Sequence, residues 1–447
     1  MKHATIVISI TIFAIMTSCA KDYRQVINAP EQRFYQGQQY EAAKMLLPFI
    51  NKAGKDQLLF MMEAGYALHI AEKYEDSNNV LLKAAKIAQV KPISVTQEVG
   101  ALLVNQTVTN YRGEDFEKVL VHMYLGINYL MTKNYEDAAI EFKAVNNELL
   151  KIKTEKGEAR YKQNVMAKYL TAIAHELRAD MNNSDEDREY AEVEYKQILN
   201  IKPDLQMARI DLNNLAAVKN SPLGELVVIF QAGRSPIKIS RGKLLDDPGM
   251  KTAVDLSLGA QSLAAGVTIG AIMTAINTAE NPLPKFRIQS NKTKYLKIAV
   301  LGQQVNTEML ENIEYTAMKN LEDDYGRLKG KIAGSIVLKA IASIGAGIAA
   351  EELTRKLSKG NTGLSSLMGL LVGGGTGAAL FATIKPDLRC WHFLPANLQL
   401  ARMRLQPGKY TARVQYIGYN GEVQDTKLLN FDIGKKEKYF INIRTLD

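Results

Sequence analysis

Residues 110–146 read NYRGEDFEKVLVHMYLGINYLMTKNYEDAAIEFKAVN, and from Leu125 onward they describe a helical hairpin. Leu125, Gly126 and Tyr129 fall on one face of a first helix. Lys133-Asn134 makes the turn, and Tyr135, Ala138, Phe142 and Val145 line a second helix. Spacings of three and four place these residues in one apolar stripe at helical period. Gly126 and Ala138 are small where two helices touch closely, while Tyr129 and Phe142 are large where a gap needs filling. A hairpin with such a stripe cannot bury it alone, so the pattern requires stacked neighbours.

Outward from this stretch the pattern recurs. Phe34, Tyr40, Ala43, Leu47 and Ile50 repeat it with Gly37 at the turn, and Ala64, Gly65, Leu68, Tyr74, Leu81 and Ala84 repeat it again. Aligning Gly65 with Gly126 brings Tyr74 onto Tyr135, Leu81 onto Phe142 and Ala84 onto Val145. A fourth unit occupies residues 161–203, where a polar break at Asn182–Asp187 separates two helices and Pro203 closes the second. Small residue, aromatic and closing proline at these distances form the tetratricopeptide (TPR) pattern, whose period is about 34 residues. The interval from Gly65 to Gly126 exceeds that period, so 87–115 reads as an insertion or a degenerate repeat.

After Asn220-Ser221-Pro222-Leu223-Gly224 the periodicity changes. Glu225–Phe230 is a β-branched apolar run, Ile237–Ile239 alternates, and Phe286–Ile288 and Tyr295–Leu301 are bounded by polar turns. Tyr410–Tyr416, Lys427–Phe431 and Tyr439–Ile443 follow, with Asn420-Gly421 as a hairpin turn. The expected class is α+β. An N-terminal α-solenoid of TPR-like hairpins (33–220) precedes a β-sandwich-like domain (221–302 and 385–447), split by a Gly/Ala-rich helical hairpin (303–384). In that insertion Gly369, Gly373 and Gly377 stand at the GxxxG spacing of close helix packing, opposite Ala342, Ala346 and Ala350. Leu256–Thr278 and Asn361–Ile384 carry no charge and are long enough to cross a bilayer. Gln261, Asn277 and Gly373–Gly375 favour burial in protein instead.

A chain of 447 residues exceeds the size of a single core. Its net charge of +9 is uneven: 27 Lys+Arg face 28 Asp+Glu up to residue 220, giving −1, and 29 face 19 beyond it, giving +10. The basic half suits an anionic envelope surface or an acidic partner, or serves solubility alone. Lys2, the apolar run Ile6–Met16 and the small residues before Cys19 read as an export signal over 1–18. Cys19 resembles the acylated first residue of a mature bacterial lipoprotein, with 19–32 as a tether. Ala20, where an Asp would retain the protein at the inner membrane, implies by the same resemblance the outer membrane, facing the periplasm. An exported chain is a poor partner for nucleic acid. Cys390 is the only other cysteine, so no intrachain disulfide is expected.

Catalytic signatures are incomplete. Ser235-Pro236-Ile237-Lys238 fits S-x-x-K, yet Pro236 sets a turn into a strand and no S-D-N or K-T-G follows. Asp387, Cys390 and His392 lie close, and a strand would aim Cys390 and His392 the same way; a small buried apolar cysteine is the plainer reading. The histidines at 3, 69, 122, 175 and 392 include no i, i+4 pair, so neither a metal site nor a cofactor is expected.

Two stretches resemble the TPR-containing lipoproteins of bacterial envelopes. One is Asn110–Glu117, with Tyr111, Arg112, Glu114 and Glu117; the other is Pro386–Ala396, with Asp387, Arg389 and Trp391, continuing through Gln399–Arg402 to the strand start at Pro407–Tyr410. Arg112 with Glu114 and Glu117, and Asp387 with Arg389, are expected as ion pairs fixing a domain junction. Trp391, the only tryptophan, is expected as a core plug or, if exposed, a peptide contact. Members of that family are similar in being encoded near a lipoprotein activator of a penicillin-binding protein, which implies envelope or cell-wall work. The expected function is an outer-membrane lipoprotein whose repeats hold an envelope protein in a concave groove without catalysis. The alternatives are an oligomeric or membrane-inserting component of a secretion or transport assembly, and a cell-wall enzyme using Cys390 or Ser235.

Overall fold

The computed structural model describes residues 23–52, 54–88, 110–152, 163–218, 221–265, 268–344, 381 and 384–447. The chain is α+β, a helical N-terminal region followed by a sheet region. The helical region comprises α1 (Tyr23–Tyr35), α2 (Gln39–Ile50), α3 (Gln57–Ile70), α4 (Tyr74–Ile87), α5 (Asp115–Met131), α6 (Tyr135–Lys151), α7 (Val165–Asn182), α8 (Asp185–Ile201) and α9 (Gln206–Val218). Each packs on the helix before it and the helix after it.

Four hairpins repeat one turn. Gly37, Glu72, Lys133 and Asn183 all have left-handed backbones, with φ of 83°, 60°, 63° and 48°. The next amide in each case reaches back five residues: Gln38 to Arg33 O, Lys73 to Leu68 O, Asn134 to Tyr129 O and Ser184 to Ala179 O, at 2.8–3.1 Å. This closure satisfies carbonyls that a helix end leaves open. The second helices of the last two hairpins then start on their own caps, Asn134 accepting from the Asp137 amide and Ser184 from the Asp187 amide. Helix α5 opens on a capping box between Glu114 and Glu117. A Cβ on Gly65 would overlap Leu81, and one on Gly126 would overlap Phe142. The two positions aligned by sequence therefore make the same close approach.

The first helices of the later hairpins, α3, α5 and α7, are buried nearly all round, whereas α1 buries only Tyr23, Ile27, Pro30 and Phe34. Every residue from Leu58 to His69 and from Val165 to Leu177 is buried, whereas the second helices keep an exposed face. What covers them is a sheet in the order β10-β1-β7-β6, from β1 (Gly224–Ala232), β6 (Glu308–Asn312), β7 (Asn397–Leu405) and β10 (Lys438–Arg444). Strand β1 is central, parallel to β10 and antiparallel to β7. Its alternate residues serve two cores: Val227 and Ile229 join the helical core, and Leu226, Val228 and Phe230 face a second sheet. That sheet has the order β5-β4-β8-β9, from β4 (Thr293–Val300), β5 (Gln303–Asn306), β8 (Gly408–Gly418) and β9 (Val423–Ile433). Leu296, Ile298, Ala412 and Val414 meet the first sheet across this core. A strand buried on both faces explains why 225–230 reads as a continuous apolar run.

A third core stands apart. Helices α10 (Pro248–Ala265), α11 (Ile269–Ile276) and α12 (Ile313–Ile344) bury Val254, Ile272, Ile276, Ile336 and Ile341 with Phe381 and Ile384. A two-stranded sheet pairs β2 (Ile237–Ile239) with β3 (Lys285–Arg287), which flank α10 and α11 in sequence.

Two expected boundaries move. Residues 303–312, placed in the helical insertion, form β5 and β6, and the helical unit recruits 248–276 from the segment assigned to the sheets. The tether expected over 19–32 is cut short, because from Tyr23 the chain is helix with its first ring fully buried. The uncharged stretch 256–278 is shared between α10 and α11, and among the described residues no helix is long and apolar enough to cross a membrane. Cys19, Gly369, Gly373 and Gly377 lie outside the described residues.

Candidate functional site

The polar chemistry of the molecule is concentrated where the helices meet the first sheet. At one end, Arg402 on β7 is enclosed by three carboxylates. It donates to Glu225 at 2.9 and 2.6 Å, to Glu176 at 2.7 and 3.3 Å, and to Asp211 at 2.9 Å. The Tyr195 hydroxyl accepts from the same guanidinium at 2.6 Å, and the Tyr169 hydroxyl donates to Asp211. Lys438 on β10 bridges Glu225 and Glu176 at 2.7 and 2.8 Å, and Arg404 reaches Asp211 at 3.3 Å.

Register places these groups together. Glu225 sits opposite Lys438 on one side and Arg404 on the other, and Arg402 is two residues along β7 on the same face. Burial alone would raise the Glu176 and Glu225 carboxyls. Arg402 and Lys438 overcome it and hold both well below the usual range, Glu225 at about 2. Asp211 is raised, because burial and the two neighbouring carboxylates outweigh its share of Arg402.

At the other end the helices hold a backbone. Residues 385–396 cross the first helices without helix or strand, turning at His392–Phe393, and most peptide groups from 390 to 394 are bonded. Glu63 on α3 accepts from the His392 amide at 2.7 Å, the Phe393 amide at 3.1 Å and the Tyr23 hydroxyl at 2.8 Å. Glu117 on α5 accepts from the Trp391 amide at 2.7 Å, from its cap partner Glu114 at 2.8 Å and from the Tyr111 hydroxyl. Tyr35 and Ser235 donate to the carbonyls of His392 and Trp391 at 2.8 and 3.4 Å. The Phe393 ring stacks on Phe34 at 4.2 Å. Burial pushes the Glu63 carboxyl up to about 7. The His392 imidazole is shifted well above its usual value: burial opposes the charge, but Cys390 and the carboxylates of Glu31 and Glu63 outweigh it.

Between the two ends lies a neutral relay. His69 Nδ1 donates to Asn128 Oδ1 at 2.6 Å, and its Nε2 accepts from Gln231 and Asn442 at 2.9 and 3.0 Å. That tautomer uses both ring nitrogens without a charge, and burial lowers the imidazole to about 4.

Most residues singled out by sequence meet at this junction. Arg389 binds Asp387 and Asp56, each at 2.7 Å, and lies over the Tyr111 ring. Trp391 is 1% exposed. The pairing expected for Arg112 is corrected. Its side chain is exposed, because Glu117 turns inward to the 391 amide and Glu114 to Lys238 of β2. Cys390 and Ser235 are 1% and 3% exposed, packed within the junction.

The sequence reading assigns no role at the junction to Glu63, Glu176, Asp211, Glu225, Arg402 or Lys438. Their signal was present: Glu63 and Glu176 are acids inside otherwise apolar helices, and Glu225 opens a buried strand. Among the described residues no group of three His, Cys, Asp or Glu could hold a metal ion. No family model, curated protein or solved structure matches the chain.

Proposed function

We propose that this chain is an exported lipoprotein, anchored at the outer membrane through acyl groups on Cys19, that acts as a non-catalytic protein–protein interaction scaffold in the bacterial cell envelope. Its helical half is then a TPR-like solenoid of four hairpins, and its two facing sheets a β-sandwich-like domain seated in the groove.

One observation carries this reading. The helical array grips an irregular, turned stretch of polypeptide by its peptide groups, through Glu63 and Glu117 on residues 391–393. That is the chemistry of a peptide-holding scaffold, while the two side chains with nucleophile chemistry, Cys390 of this segment and Ser235 bonded to it, are buried. Because the occupant here is the chain's own segment, a foreign protein is assigned to the outer helices, where Ile87, Ile140 and Val193 are about half exposed.

Photo-crosslinkers at positions 140 and 193 in growing cells test the proposal. It expects discrete protein adducts from both sites and full complementation of a deletion strain by Cys390→Ala and Ser235→Ala. Loss of complementation in either alanine variant, with the protein still folded, points to catalysis and sinks the scaffold reading.

A further inference from the structure

We infer that the end of the molecule around the start of α1 docks on an anionic phospholipid surface, and that it does so through four exposed cations: Arg24, Lys52, Arg112 and Lys385. The inference rests on the proposed acylation of Cys19. It replaces the basic C-terminal half as the lipid-facing surface.

The first argument is one of reach. Tyr23 is already fixed in the body, its ring on Phe60 at 5.5 Å and its hydroxyl on Glu63 at 2.8 Å. Four Cα–Cα steps separate it from Cys19, which whatever their course span at most about 14 Å. An acylated Cys19 therefore brings this end, and no other, to the headgroups.

The second argument is charge. Three loops are tied to one another beside Phe60, on which the Tyr23 ring lies. The 51–56 loop adjoins Phe60, the 110–115 loop is tied to it by the Tyr111 amide on Lys55 O at 2.6 Å, and the 385–389 segment is tied to it by Arg389 on Asp56. Every acidic side chain in these loops is paired within the protein: Asp56 and Asp387 with Arg389, Glu114 with Lys238 and Asp115 with Lys118. The first turn of α1 has no acid. Arg24, Lys52, Arg112 and Lys385 are exposed. The acids face inward and the cations face outward, so this end presents a positive surface at the distance where anionic headgroups attract it.

The test uses the full exported lipoprotein in a Cys390→Ala background, reconstituted into phosphatidylethanolamine vesicles with or without phosphatidylglycerol and carrying a headgroup quencher. One fluorophore is placed at Asn51→Cys beside the docking end. A second is placed at Gln36→Cys, about 20 Å away along α1. With phosphatidylglycerol, position 51 should be quenched at least about twofold more than position 36, and reversing the four cations to Glu should abolish the difference while the protein still floats with the vesicles. Flotation with equal quenching at the two positions, or a difference that survives charge reversal, overturns the docking inference alone. A protein that does not float, with an N-terminal peptide mass lacking acyl groups, overturns the lipoprotein reading on which it rests.

Discussion

The two ends of the helix–sheet junction solve the same problem with different chemistry. Around Arg402, charged side chains of the sheet meet charged side chains of the helices, and each ion's desolvation is offset only by the others. Around Glu63 and Glu117, carboxylates of the helices meet peptide amides, whose identity as side chains is irrelevant. The first end recognises a particular sheet, since Arg402, Lys438 and Arg404 at those registers neutralise Glu176, Asp211 and Glu225. The second recognises a turned stretch of backbone, with selectivity left to Trp391 and Phe393 in their aromatic slots. Specific charge and generic backbone capture together make the helical and sheet regions one folding unit.

Breaking the charged end should have the largest effect. Arg402→Met leaves three carboxylates around a neutral side chain, with Lys438 reaching only two of them. A loss of about 3–5 kcal/mol is expected in urea unfolding, the range for stranding a buried charge. Lys438→Met should cost less, because Arg402 still contacts all three. If the two variants unfold at the same urea concentration, the network is not centred on Arg402.

The backbone end should respond more mildly. Glu63→Gln keeps one acceptor oxygen but turns an amide donor toward an N–H, for a cost of about 1–3 kcal/mol. Its pH dependence has a definite sign. The Glu63 carboxyl rises from 4.5 to about 7 on folding, so its favourable contribution is complete below pH 4.5 and disappears as pH climbs through 7. The gap between parent and Glu63→Gln should therefore narrow over that window. His69 behaves oppositely: its imidazole falls from 6.5 to about 4, so its contribution is complete above pH 6.5 and is lost as pH drops toward 4. The gap between parent and His69→Gln should narrow by up to about 3 kcal/mol as the solution is acidified. Paired urea titrations at pH 4, 5.5 and 7.5 read both slopes, and slopes of the same sign would contradict the burial assigned to one of the two groups.

The repeating hairpins were legible in the sequence because their signal is local. Gly65 with Leu81 and Gly126 with Phe142 lie within one hairpin each, and the same contact recurs at the same offset. Strands β1, β4, β8, β9 and β10 were also legible, by alternation or by an apolar run. Strand β7 was passed over because Gln399, Arg402 and Arg404 interrupt its apolar pattern; Arg402 and Arg404 aim at the helices, and Gln399 aims at the second sheet, where it bonds Thr307 and the Lys294 carbonyl. The charge asymmetry between the halves was visible but its destination was not. Lys238, Arg389, Arg402, Arg404 and Lys438 of the basic half turn inward to Glu114, Asp56, Glu176 and Asp211 of the helical half. Composition reports how many cations a segment has; only the register of β1, β7 and β10 decides that they face a protein surface.

The smallest expected effect sharpens the comparison from the side of the solvent. Arg112 and Arg389 belong to the two stretches that define the junction in the sequence, and both were expected to hold loops by ion pairs. Arg389 is 5% exposed, with Asp387 and Asp56 both at 2.7 Å. Arg389→Ala strands two carboxylates and should cost about 2–4 kcal/mol, less than Arg402→Met because Asp387 is partly solvated. Arg112 is exposed, so Arg112→Ala should move unfolding by no more than about 0.5 kcal/mol. Its consequence belongs to the surface: loss of one of four outward cations should weaken attraction to phosphatidylglycerol vesicles while leaving the urea midpoint unchanged. A stability loss for Arg112→Ala comparable to that of Arg389→Ala would mean that Glu114 and Glu117 divide their charge between Arg112 and the junction, and the inward-facing assignment of both carboxylates would have to be abandoned.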